Sequence, residues 1–320
     1  MTALGVDIGG TRIKAGIVDG NGKVLRHNAT PTPVDLEGFT AALHGLIGEL
    51  ACDTGDFIGV GIGCKGIIDP LTTRVEVLPG TCWFLEGVVL SELVFPSLPR
   101  PLPISADNDA RVAMAGEMVW GAARGHSHAL MLTLGTGVGG ALVAGGKLVR
   151  GAGGVAGHLG HIVVDPEGPV CMCGNRGCLE TQFSALSIEA EAFDIVHRQV
   201  SSKLTDRYRN DPLRITCKAV FDAAAEGDEV AMRIRDRAIA KLGAALAGML
   251  FAFDPGVAIV GGQIAESGPC LFEPLREEVW RRTRRYLRRE VPIVPPQVTD
   301  KSGVVGGAAL VFHGEGAGAD

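Results

Sequence analysis

The chain has 320 residues, 46% hydrophobic and 21% charged, enough apolar surface to bury a core and too much to stay disordered. Its formal charge of −6, from 30 basic and 36 acidic side chains, argues against a dedicated nucleic-acid or polyanion binder. Glycine is over-used, with 46 residues; this is roughly twice the ordinary share of about 7%, without the Gly-X-Y period of collagen, and implies tight turns or close approach to a ligand.

Strands are predicted at 4–8 and 13–18, joined by Gly9-Gly10-Thr11-Arg12, and a third at 23–26 after the Asp19-Gly20-Asn21-Gly22 turn. A β-meander opens the chain, not a strand–helix unit. The spacing of Phe39, Leu43, Leu46, Ile47 and Leu50 predicts a helix over 36–51. Strands follow at 57–62 and 103–106, the second leading into a helix over about 110–121. The pattern then restarts. Strands at 129–134 and 140–144 flank Gly135-Thr136-Gly137-Val138-Gly139, and a turn follows at Gly145-Gly146-Lys147. Two strand–turn–strand units read as a duplicated α/β architecture with two similar lobes.

A cysteine-rich insertion comes next, then helices through 185–200 and 217–253, a strand at 257–260 and a terminal helix over about 304–312. Ile234, Ala238, Leu242, Leu246, Met249, Leu250 and Phe253 step at three or four, the mark of core packing. The arginine-rich stretch 276–289, with Trp280, Tyr286 and Leu287 interleaved, fits a nucleic-acid helix or the solvated face of an amphipathic one; the acidic chain favours the second. The tail 314–320 is expected to fray. No basic segment precedes an apolar stretch at the N-terminus, and the longest apolar run, 242–253, is shorter than the ~18 residues a bilayer span requires. A soluble, cytoplasmic protein with no membrane partner is expected, its eight cysteines serving as reduced thiols or metal ligands rather than a disulfide framework.

Three motifs carry chemistry. In Asp7-Ile8-Gly9-Gly10-Thr11, two glycines let backbone N–H groups approach a polyanion, Thr11 adds a hydroxyl, and Asp7 could hold a nucleotide's magnesium through water. An ordinary Gly-Gly hairpin would look alike, but Gly135-Thr136-Gly137 repeats the arrangement and favours phosphate. Neither is a Walker loop or a dinucleotide fingerprint. Asp107-Asn108-Asp109, between a strand and a helix, offers a carboxylate able to accept a hydroxyl proton and an amide to fix the same hydroxyls; helix capping explains part of it equally well. His161, Cys171, Cys173 and Cys178 match the Cys3His set of structural zinc, with redox thiols as the competing reading. Zinc there would fix the neighbouring Glu180 and the second nitrogen of His161. Cys52, Cys64, Cys82, Cys217 and Cys270 read as scattered, buried thiols.

Together with Asp107-Asn108-Asp109-Ala110, Gly135-Thr136-Gly137-Val138-Gly139-Gly140, the glycine run 151–160 and Gly261-Gly262, these motifs resemble the ROK family of repressors and sugar kinases over nearly the whole chain. The resemblance implies an α/β, two-lobed actin/hexokinase-like (ribonuclease H-like) fold with a small zinc-binding insertion. The lobes would be 1–118, rejoined by a C-terminal helix at about 304–320, and 119–303, with the zinc loop at 158–180. It further implies ATP, Mg2+ and structural Zn2+. Asp109 would be the catalytic base, with Gly66, Asn108, Asp109, His158, His161 and Glu180 on the sugar. Asp7, Gly9, Gly10, Thr11, Arg12, Gly135, Thr136 and Gly137 would face the phosphates, and Gly261 and Gly262 the adenosine side. Family members are commonly homodimers or homotetramers. Its repressors carry an extra N-terminal DNA-binding domain, for which a phosphate strand starting by Gly5 leaves no room, so a sugar-sensing regulator without catalysis is the alternative to a kinase.

Two departures matter. Where glucokinase-type members read Ala-Gly-Glu-x-Gly-His, this chain has Ala156-Gly157-His158-Leu159-Gly160-His161, and with Asp165 to Cys171 it is similar to the N-acetylmannosamine kinase branch. Replacing an acceptor carboxylate by imidazole changes which hydroxyl or acyl group is best satisfied. Arg12 stands where the family usually has Lys. The expected reaction is ATP-dependent phosphorylation of a hexose or N-acyl hexosamine at its 6-hydroxyl, with glucose and N-acetylmannosamine both open, as is polyphosphate in place of ATP.

Overall fold

Glycines at alternate positions of two strands shape one face of the first sheet. The structure, a computed structural model, describes residues 1–51, 57–299 and 301–314; Cys52 and residues 315–320 of the tail lie outside the described residues. The chain divides into two units, Met1–His126 with Leu142–Ala156 and Pro296–Asp320, and Ser127–Ala141 with Gly157–Pro295.

In the first unit β1 (Thr2–Ile8), β2 (Arg12–Asp19) and β3 (Val24–Pro31) form the expected meander, and α1 (Leu36–Ala51) follows. Next come β4 (Phe57–Cys64), the two short strands β5 (Ile67–Ile68) and β6 (Val75–Val77), α2 (Leu90–Val94), β7 (Ile104–Asn108) and α3 (Asp109–Trp120). The sheet order is β3-β2-β1-β4-β7, with β1, β4 and β7 parallel. Period-2 alternation gives the central strands β1 and β4 two buried faces, while the edge strand β3 is largely exposed. Leu4, Val6 and Ile8, with Phe57, Val60, Ile62 and Cys64, join Phe39, Leu43 and Ile47 of α1 in one core. The opposite face carries Ala3, Gly5 and Asp7 on β1 and Gly59, Gly61 and Gly63 on β4. β5, β6 and α2 escape periodicity reading because they are too short to complete a pattern.

The second half supplies β8 (Ala129–Leu134), β9 (Val138–Ala144) and β10 (Lys147–Leu148), then α4 (Leu179–Gln182), α5 (Ala185–His197), α6 (Lys203–Tyr208), α7 (Cys217–Ala225), α8 (Glu229–Phe253), β11 (Val257–Gly261), α9 (Pro269–Thr283) and β12 (Ile293–Val294). The second sheet has the order β10-β9-β8-β11-β12, with β8, β11 and β12 parallel. The stretch 217–253 comes as two helices, because Gly227 takes φ +82° and Asp228 caps α8 by accepting the Ala231 N–H at 2.8 Å. No helix of the described residues is long and apolar enough to cross a membrane.

Finally α10 (Ser302–Phe312) packs on β1, β4 and α3 of the first unit. Its backbone lies directly on the strand glycines: a Cβ built on Gly5 would sit 1.8 Å from the Val304 carbonyl oxygen, and one on Gly61 would sit 1.8 Å from that of Gly307. One on Gly306 would meet the Val112 carbonyl oxygen at 2.1 Å. The incoming segment is pinned by buried Glu117 of α3, whose carboxylate accepts the N–H groups of Gln297 at 3.1 Å and Val298 at 2.7 Å.

Gly61→Ala is expected to destabilise the protein by about 1–3 kcal/mol through forced backbone displacement, read as a lower urea midpoint. Gly45→Ala in α1, where a Cβ meets nothing within 4 Å, should stabilise by about 0.5–1 kcal/mol. A wild-type midpoint for Gly61→Ala would refute the close packing.

Candidate functional site

Asp107-Asn108-Asp109 lies at the carboxyl end of β7 and the start of α3, and the three side chains do three different things. Asp107 is fully buried. It accepts from Arg111 Nε at 2.5 Å, Arg150 Nε at 2.8 Å and its neighbour's backbone N–H at 2.8 Å. Arg111, 1% exposed, passes the tether on: its Nη1 donates to the carbonyls of Gly154 at 3.0 Å and Ala156 at 2.9 Å. Its Nη2 is buried without a partner among the described residues. Asn108 is the helix cap, accepting from the Ala110 N–H at 3.0 Å while its Nδ2 donates to the Gly66 carbonyl at 2.9 Å. Gly66 has φ +95° and no room for a Cβ, which would come within 2.2 Å of the Val77 carbonyl oxygen.

Asp109 is left. Its Oδ1 accepts from the Ala110 N–H at 2.9 Å, and the residue stays open to solvent. Dehydration by the surrounding protein pushes its carboxyl pKa up and repulsion from Asp7 adds to this, while the Ala110 N–H and the Lys65 ammonium offset only part. A solvent-reachable carboxylate with a raised pKa suits a proton acceptor.

In the same unit Asp7 faces Lys14 across the β1–β2 ladder, with Nζ donating to Oδ2 at 3.1 Å. Gly9, Gly10, Thr11 and Arg12 form the turn: Gly9 N–H donates to the Arg12 carbonyl at 3.1 Å and Thr32 Oγ1 donates to that of Gly9 at 2.7 Å. Gly10, Thr11 and Arg12 are exposed. A Cβ on Gly10 would lie 2.3 Å from Thr81 Oγ1, so the 80–82 loop abuts this turn.

In the second unit Gly135 N–H donates to the Gly137 carbonyl at 3.0 Å, with Thr136 exposed between them. Glu180, at the start of α4, accepts the Val138 N–H at 2.9 Å with Oε2. A Cβ on Gly137 would strike that oxygen at 2.4 Å. One carboxylate oxygen of Glu180 therefore braces the glycine turn. Gly261 ends β11, and Gly262, at φ +86°, lies where a Cβ would be 2.3 Å from the Leu134 carbonyl oxygen.

The ligand atoms of His161, Cys171, Cys173 and Cys178 lie within 4.8 Å of one another. Cys171 Sγ is 3.5 Å from His161 Nδ1, and Cys173 Sγ is 3.6 Å from Cys178 Sγ. Ideal tetrahedral zinc bonds would give edges of about 3.5 Å for N···S and about 3.8 Å for S···S, so the donor set fits the ion. Burial pushes Cys171 up and Cys178 to about 12, whereas the Asn175 amide draws Cys173 down. His161 turns Nδ1 to the sulfurs, leaving Nε2 for a second partner. The His158 ring lies parallel to it, 6.5 Å away at 8°.

The remaining described cysteines are buried or, for Cys270, partly so. In the arginine-rich segment Arg276 donates to the Ile293 carbonyl, Arg281 and Arg282 to Glu278, and Arg289 to Asp254. Motif reading missed Arg111, Arg150, Lys65 and Thr81. Arg111 alone had a signal, a cation at i+4 from Asp107 in the first turn of α3.

The ROK family description matches residues 3–313. A glucokinase of Thermotoga maritima is 35% identical over 310 residues, 96% of each chain. An N-acetylmannosamine kinase of Escherichia fergusonii is 30% identical over 325 residues, 98% of this chain and 99% of the relative. A crystal structure of a ROK family glucokinase from Streptomyces griseus, in complex with glucose and AMPPNP, matches with a TM-score of 0.82 at 33% identity over 98% of this chain and 100% of that one. Both mixed sheets fit the actin/hexokinase-like architecture.

Arg111→Met should lower stability by about 3–5 kcal/mol, because it strips a partner from a buried carboxylate. Denaturant unfolding with an unchanged m-value checks this, and a loss below about 0.5 kcal/mol would show that the Asp107 cluster is not a structural clamp.

Proposed function

The chain belongs to the ROK family, and from that membership we propose that it is an ATP-dependent sugar kinase acting on the 6-hydroxyl of a hexose or N-acyl hexosamine. The observation that carries this reading is the separation of roles in Asp107-Asn108-Asp109: Asp107 is locked between two arginines, Asn108 caps the helix, and Asp109 remains open. The relatives named glucokinase and N-acetylmannosamine kinase support the reaction class.

In this mechanism the sugar oxygen attacks the γ-phosphorus, its proton passes to Asp109, and the bond from phosphorus to the departing ADP oxygen breaks. Backbone N–H groups of Gly9–Thr11 and Gly135–Gly137, with Thr136 and Arg12, face the phosphates and offset their charge. Gly261 and Gly262 border the adenosine. Asp7 would hold Mg2+ through water, which supplies charge neutralisation on the phosphate oxygens. Gly66, Asn108, His158, His161 and the free oxygen of Glu180 hold the sugar. His158 brings a donor and an acceptor where a glutamate only accepts, which bears on whether an acyl amide or a hydroxyl is preferred. His161, Cys171, Cys173 and Cys178 would hold a structural zinc ion, all four positions taken by protein, with His161 Nε2 thereby fixed toward the sugar.

A coupled ADP-release assay across glucose, mannose, fructose, N-acetylglucosamine and N-acetylmannosamine identifies the substrate; no turnover above background with any of them refutes the kinase. Asp109→Asn should cut kcat by roughly 10²–10⁴-fold with sugar binding retained. Sugar binding by a wild-type protein that releases no ADP would instead support the non-catalytic sensor. Because Asp109 must be ionised to act and its carboxyl pKa is raised, kcat/KM should fall as pH drops through that elevated value. Elemental analysis should find about one zinc per chain, and stripping it should raise the sugar KM more than that for ATP; a fully active, metal-free protein would exclude the ion.

A further inference from the structure

β4 lies between β1 and β7, and its last residue, Cys64, is in register with Ile8 on one side and Asn108 on the other. The residue after each is therefore brought to the same sheet edge. These residues are Gly9 of the glycine turn, Lys65, and Asp109. Such an edge, at the carboxyl ends of parallel strands, is where open α/β sheets receive ligands. The backbone on either side of Lys65 is fixed, since Cys64 is buried and the Gly66 carbonyl is held by Asn108.

The Lys65 side chain is exposed and makes no hydrogen bond or ion pair among the described residues; its place at this edge, beside the Asp109 carboxyl, sets it apart. It reaches toward the 80–82 loop, with Nζ 3.6 Å from the position a Cβ would take on Gly80. The next residue, Thr81, lies against Gly10 of the glycine turn. An unpaired ammonium thus stands on the path from that turn to the candidate base.

We propose that Lys65 is a catalytic residue, donating a hydrogen bond from Nζ to an oxygen of the γ-phosphoryl group during its transfer. The assignment rests on the kinase reading above. No proton leaves Lys65 in this step; the sugar O–H proton still goes to Asp109, and the phosphorus exchanges its ADP oxygen for the sugar oxygen. A cation carried at this edge by held backbone, and reaching charge that spreads over the phosphoryl oxygens, lowers the barrier without weakening sugar binding. Lys65 also faces Asp109 together with Asp7 from β1 and Cys64 from β4; it opposes the upward push on that carboxyl.

The test compares wild type, Lys65→Met and Lys65→Arg as full chains, with MgATP and whichever sugar the panel selects. Lys65→Met should lower kcat roughly 10²-fold, with the sugar KM within about threefold of wild type. The acid limb of kcat/KM should move to higher pH, because Asp109 loses its cationic neighbour. Lys65→Arg should restore part of kcat. A Lys65→Met enzyme with kcat within twofold of wild type, or a fallen kcat with an unmoved acid limb, overturns the assignment while leaving the kinase intact. A wild-type protein that turns over no sugar removes the kinase and the assignment together.

Discussion

The first unit depends on a helix backbone lying against bare strand backbone. α10 can cover β1 and β4 only because Gly5 and Gly61 present no side chain to the carbonyls of Val304 and Gly307. A side chain there would lift the helix off the sheet, and Ala3, Val18, Val304 and Ala308 would lose their shared burial. The same approach fixes Asp7, since a Cβ on Gly303 would collide with its carboxylate carbon at 2.5 Å. A packing rule for the back of the sheet thereby also governs where one candidate ligand group stands.

On that platform the chemistry concentrates at strand ends. β1 ends in the Gly9–Arg12 turn, β4 in Lys65-Gly66, and β7 in Asp107-Asn108-Asp109. The groups most deeply buried there are used for rigidity: Asp107 and Arg111 neutralise each other and hold the 154–156 carbonyls. Asp109, two residues further along the chain, keeps access to water. Burying one charge of an adjacent pair and exposing the other lets a stiff frame carry a titratable group.

Much of this could be read from the residues alone. The meander, α1 and the second glycine turn followed from period and turn chemistry, and the family from motifs spread along the chain. The glycine surplus, however, implied turns and ligands, whereas Gly5, Gly61 and Gly307 serve helix-on-sheet contact and Gly306 serves contact between α10 and α3. No local pattern could show that, because the partners are roughly 190–300 positions apart in sequence. Asp107 and Asp109 likewise look equivalent in one dimension. The arginine at residue 150 separates them, and it reaches Asp107 only through the fold. Lys65 was silent for a similar reason: a lone lysine has no spacing to read, and its neighbours come from two other strands.

The first unit is also discontinuous in a way that bears on synthesis. The glycine-lined side of β1 and β4 emerges from the ribosome long before residues 302–312, which must cover it. Until that last helix arrives, a nascent chain carries an unshielded strand surface of the sort chaperones bind, whereas the 157–295 portion already has most of its own contacts to hand. Vectorial folding should therefore finish on the amino-terminal half last, making translation through the final stretch the step at which misfolding is most readily trapped.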